Sequence, residues 1–81
     1  MKLRVLFFSL LRDIAGADEI ELSFEGNISV EVLLETLYAH YPAMRVWDGK
    51  VLVAADQEYV DRDVILHGGE EVAIMPPVQG G

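Results

Sequence analysis

A single switch of hydrophobic period, at Ser29, limits what this chain can fold into. Before it, apolar residues repeat every two positions. Lys2 to Ser9 places Leu3, Val5 and Phe7 on one face and Lys2, Arg4, Leu6 and Phe8 on the other. That is the period of a strand, and the uniformly apolar set belongs to the core. Leu10 to Ala17 reads as a short helical turn plus loop. Glu19 to Phe24 alternates again, with Ile20, Leu22 and Phe24 inward. Gly26-Asn27 is expected to close the hairpin. After Ser29 the spacing becomes helical: Val30, Leu33, Leu34, Leu37, Tyr38 and Tyr41 share one face,. Ser29 suits the N-cap, Glu31 the first turn, and Pro42 ends the helix.

The chain then returns to short extended pieces. Val46 and Trp47 lead to an expected turn at Asp48-Gly49, and Val51 to Ala55 forms a strand. Asp56-Gln57 turns, Tyr59-Val60 extends, and Asp61-Arg62-Asp63 and Gly68-Gly69 make corners. Glu71 to Met75 is the last strand, with Val72 and Ile74 inward. Two strands, one helix and further strands predict an α+β fold: a mixed sheet with one main helix on one face. Residues 1–75 form the domain and residues 76–81 an extended tail.

Composition removes whole classes of function. Eight more acidic than basic residues give a net charge of −8. Such a surface repels phosphate backbones, so neither nucleic acid nor an anionic membrane is expected as a partner; a basic protein surface is. There is no cysteine, which removes disulfides, thiolate nucleophiles and Cys-based zinc sites. His40 and His67 are the only histidines, too few for a metal site of three or four ligands, so none is expected. Gly68-Gly69 lacks the Lys-Ser/Thr of a phosphate loop. Asp61 with Asp63, and Glu70 with Glu71, are read as solvated turn carboxylates. The apolar start stops by Arg12 without a small-residue cleavage site; it is read as a strand, and the protein is expected in the cytoplasm.

The ending, Pro76-Pro77-Val78-Gln79-Gly80-Gly81, carries the chemistry. Two prolines stop the sheet and send the chain out stiff and extended. At about 3.1–3.3 Å per residue the tail reaches roughly 20 Å. Gly80 and Gly81 add no side chains, so their backbone can pass through a channel too narrow for anything else. The last reactive group is the terminal carboxylate. Terminal Pro and Gly residues also simply fray, and that reading stands beside the other. A carboxylate on a thin arm, however, suits activation as an acyl-adenylate by a separate ATP-using enzyme. The acyl carbon can then accept sulfur or an amine.

These residues resemble a known family. Val5-Leu6-Phe7-Phe8 with Arg12 and Gly16, the helix around Leu33 to Leu37, Val53-Ala54 with Asp56, and above all Gly69 to Gly81 are similar to the small subunits of molybdopterin synthase, which are ubiquitin-like sulfur carriers. The resemblance covers essentially the whole chain, and the run from Glu71 to Gly81 is its most specific part. It implies a ubiquitin-like β-grasp fold. It implies that Gly81 is adenylated by an E1-like enzyme and converted to a thiocarboxylate. The tail then enters the large subunit, in a heterotetramer, and sulfur passes to precursor Z to build the dithiolene. The chain itself would bind no cofactor, and catalytic side chains would lie on the large subunit. Carriage of sulfur for thiamine or tRNA, lysine modification through Gly81, and a plain interaction module are the rival readings. Asp56, Gly68 and Glu70 depart from the family pattern; all three lie in turns, so they bear on turn geometry rather than on the chemistry.

One surface feature remains. If the first and last strands are neighbours, Leu6, Phe8 and Met75 form an apolar patch at the base of the tail, where a partner would dock unless a loop covers it.

Overall fold

The computed structural model of the chain describes residues 1–77. Strand β1 (Lys2–Phe7) follows its two-residue period, with Leu3, Val5 and Phe7 buried. Strand β2 (Glu19–Ser23) pairs with it antiparallel, setting Leu3 against Leu22 and Val5 against Ile20. The two are joined through helix α1 (Leu10–Ala15), which buries Leu11. Gly16 ends α1 with a left-handed φ of 73° and donates its N–H to the Arg12 carbonyl at 2.9 Å,.

Gly26-Asn27 therefore does not close this hairpin. Gly26 does turn the chain, at φ 93°, but toward strand β3 (Ile28–Ser29). That strand pairs with β6 (Ile65–Leu66) in a separate two-stranded sheet. A glycine marks a turn without saying which strands the turn joins, and two-residue strands are too short to show a period.

Helix α2 (Val30–His40) starts where the period changes. The Ser29 hydroxyl oxygen accepts the Val32 N–H at 3.2 Å, satisfying one of the free donors of the first turn. Val30, Leu33, Leu34, Leu37 and Tyr38 are buried. A 3-10 segment, Pro42–Lys50, follows in place of the simple turn expected at Asp48-Gly49. Side chains three apart eclipse in such a helix. Met44 and Trp47 have that spacing, and both reach the core.

Strands β4 (Leu52–Ala55) and β5 (Glu58–Tyr59) are joined by Asp56 and Gln57, both left-handed, with φ 47° and 72°. Two such residues make a tight hairpin turn. Strand β7 (Glu71–Met75) lies between β1 and β4, parallel to the first and antiparallel to the second. The five-stranded order is β2-β1-β7-β4-β5. This is the mixed sheet expected, with the buried residues of α2 and of β1, β4 and β7 forming one core.

Candidate functional site

Alternation along the strands assigns every second residue to the face away from α2. The register then lines these residues up. One row runs Tyr59, Ala54, Ala73, Leu6 and Glu19 across β5, β4, β7, β1 and β2. The next row, toward the end of β7, sets Leu52 against Met75. Phe8 adjoins it, since its N–H reaches the Ile74 carbonyl at 3.3 Å.

The sheet thus brings Leu6, Phe8 and Met75 together. Leu6 and Met75 are half-buried, and Phe8 is 44% exposed. The face is wider than the sequence indicated, because Leu52, Ala54 and Tyr59 extend it. The signal for the first two was the alternation within Val51 to Ala55, a run whose uniform apolarity hides its two faces. Tyr59 is 72% exposed, an aromatic on a two-residue strand.

A charged row borders the apolar ones on the side away from the tail. Arg4 meets Glu19 at 3.0 Å and Glu71 at 3.2 Å, and Lys2 meets Glu21 at 3.8 Å. Hydrogen bonding from Arg4, reinforced by its charge, holds the Glu19 carboxyl below the ordinary range,. At the far edge the Asp56 carboxylate accepts the Glu71 N–H at 3.0 Å. The outer face is an apolar strip with an ionised border.

The tail leaves from this strip. Pro76 and Pro77 follow Met75 and are half-buried. The expectations for Val78, Gln79, Gly80 and Gly81 fall outside the described residues.

Elsewhere the polar groups serve the fold. Arg62 reaches Asp48 at 2.9 Å and Glu31 at 3.1 Å, tying the 3-10 segment and the start of α2 to the corner at 61–63. A groove of about 330 Å³ beside β4 includes Arg62 and Asp61 in its lining, but this guanidinium is already held by two carboxylates. Among the described residues no three His, Asp or Glu side chains are placed to hold a metal ion. The three departures from the family pattern form sound turns. Asp56 takes the left-handed conformation its turn needs. A Cβ at Gly68 would lie 3.1 Å from that of Met1. The Glu70 carboxylate accepts the His67 N–H.

Residues 5–81 match the model of the ThiS family. The chain belongs to that family. The match runs to the terminal glycine, so the tail is part of the ThiS-family pattern along with the sheet. The molybdopterin synthase sulfur carrier subunit of Escherichia coli is 38% identical over 98% of this chain and 99% of its own length. That of Chlamydomonas reinhardtii is 36% identical over the whole of both chains. Among solved structures, small archaeal modifier protein 1 from Methanosarcina acetivorans superposes with a TM-score of 0.82 at 28% identity, covering 99% of this chain and 96% of that one. The ThiS-family fold is the ubiquitin-like β-grasp. No helix among the described residues is long and apolar enough to cross a membrane.

Proposed function

We propose that this ThiS-family chain is the sulfur-carrying small subunit of molybdopterin synthase. What carries the reading is the match in both directions along the full chain, ending on Gly81, with relatives named as sulfur carrier subunits of that enzyme. The Gly81 carboxylate attacks the α-phosphate of ATP held by an E1-like enzyme, and pyrophosphate leaves. A sulfur nucleophile then displaces AMP, and the terminal carboxylate becomes a thiocarboxylate. The tail delivers it into the large subunit, where sulfur passes to precursor Z and the dithiolene is built. The carrier contributes a reacting carbon and a docking face; the acid, base and oxyanion groups belong to the large subunit. The chain needs no bound cofactor, works in the cytoplasm and assembles with the large subunit as a heterotetramer.

The outer face supports this division of labour. Leu6, Phe8, Leu52 and Met75 lie beside the strand end that becomes the tail, with Tyr59 two strands away on the same face, and a docked partner would receive the tail in a fixed direction. The acidic border and the net charge of −8 fit a partner with a basic rim.

The likeness to an archaeal modifier protein supports a second reading, in which Gly81 forms isopeptide bonds with lysines. Mass spectrometry of the protein isolated from its own cells separates the two. A chain with one terminal oxygen replaced by sulfur is the expected result. Conjugate ladders without that species would establish the modifier instead.

A further inference from the structure

The chain has six Lys and Arg residues, and five of them are neutralised locally. Lys2, Arg4, Arg12, Arg45 and Arg62 each lie 3.8 Å or less from a carboxylate oxygen. Lys50 alone has no carboxylate partner among the described residues. Asp48, the carboxylate closest to it in sequence, is held by Arg62 at 2.9 Å. Solubility does not account for such a cation. In a chain of net charge −8 a lysine brings the total nearer zero, and Asp or Glu keeps a surface wet more effectively. Lys50 also ends the 3-10 segment, where a positive charge suits the helix dipole. That role acts on stability and not on binding.

The position of Lys50 is a second, independent observation. Leu52 faces Met75 in the antiparallel ladder of β4 and β7. Lys50 comes two residues before Leu52, and Pro77 two residues after Met75. The exposed Lys50 and the root of the tail therefore belong to the same end of the sheet. Glu21 and Glu71, in register with Arg4, lie toward the opposite end of the outer face. An apolar strip whose border carries one sign can be docked either way round along the strands. A cation at the tail end makes the two directions unequal.

Resting on the docking reading above, we infer that Lys50 is a specificity-determining contact of the docking face. Its ammonium pairs with a carboxylate that the large subunit presents beside the mouth of the channel for the tail. The basic rim of that subunit meets the acidic end of the face. The two contacts together fix the direction in which the carrier docks, so that the tail points into the channel.

The test measures melting temperature and affinity for the purified large subunit in Lys50→Gln, Lys50→Glu, Lys50→Arg and Phe8→Ala. Lys50→Gln should melt with wild type while its Kd rises roughly two- to fivefold, the worth of one exposed ion pair. Lys50→Glu sets two like charges together and should bind more than about tenfold more weakly. Lys50→Arg should restore wild-type affinity, and raised salt should narrow the gap between wild type and Lys50→Gln. The sign of the effect is decisive. A solvated lysine, on a carrier drawn to a basic rim, only opposes attraction, so its loss would leave binding unchanged or tighter. That result, with weakened binding in Phe8→Ala, overturns the Lys50 contact and leaves the docking face standing. A fall in melting temperature that accounts for the lost affinity overturns it too, in favour of the helix dipole. Wild-type affinity in all four variants overturns the docking face and this inference with it.

Discussion

The two faces of the central sheet use similar residue types under opposite conditions. On the inner face Leu3, Val5, Phe7, Val53, Val72 and Ile74 meet Leu33, Leu34 and Leu37 of α2 and are almost wholly removed from water. On the outer face Leu6, Leu52, Ala73 and Met75 lie on the same strands, half-buried, with no helix among the described residues over them. The inner face is complete within one chain. The outer face has strand register, apolar side chains and an ionised border, but not the second layer a sheet normally gains. Composition does not distinguish the faces; the presence or absence of that layer does. Apolar side chains left half-buried on a sheet face are a place for another molecule.

The largest expected effect lies beyond both faces. Deleting Gly80 and Gly81 should abolish sulfur transfer in a single-turnover assay with the large subunit, yet leave the melting temperature nearly unchanged, because every core residue stays in place. Adding one alanine after Gly81 should be almost as damaging, since a shift of about 1 Å at a reacting centre costs on the order of 100-fold. Wild-type transfer by the extended chain would mean that the terminal carbon carries nothing.

Within the sheet, truncation should separate the faces. Leu33→Ala, at a fully buried position, should cost about 2–5 kcal/mol in denaturant unfolding. Tyr59→Ala, at a position 72% exposed, should fall within about 0.5 kcal/mol of wild type. Equal losses would erase the contrast.

Binding should show the reverse order. Phe8→Ala should weaken association with the large subunit by more than about 1 kcal/mol, as for a buried aromatic anchor, with the fold intact by circular dichroism. A titration that superimposes on wild type would place the interface elsewhere.

The smallest effect concerns the border. Arg4 lowers the folded-state pKa of Glu19, so the stabilisation from this contact is present above the unfolded carboxyl value, about 4.3. It is lost as pH falls through the lower folded value. Glu19→Gln should melt slightly below wild type at neutral pH, and the gap should close in acid. Both partners are about half exposed, so water screens the pair and the gap is small. A gap that persists unchanged in strong acid would assign the effect to packing.

The residues of β1, β2, α2 and β7 were legible in the sequence because each shows a period long enough to count. The partners of Gly26-Asn27 were not legible, because a turn signal is local and pairing is not. The 3-10 segment was hidden for a related reason: Met44 and Trp47 share a face only at three residues per turn, which a search for strand or α-helix periods passes over. In the candidate site, the tail could be read from its prolines and glycines and the outward side of Leu6, Phe8 and Met75 from alternation, but their meeting required the pairing of β1 with β7. Leu52, Ala54 and Tyr59 required the register of β4 and β5.

The position of β7 has a mechanical consequence. The strand that becomes the tail is central, matched over four residue pairs with β1 on one side and four with β4 on the other. A partner that grips the tail and pulls therefore loads the domain along the strand axis. Both ladders are then stressed in shear, and their hydrogen bonds must yield together instead of opening one after another, as at a frayed edge. On the function proposed above, the domain would behave as an anchor: a partner could draw on the chain beyond β7 while the body that carries it stays whole.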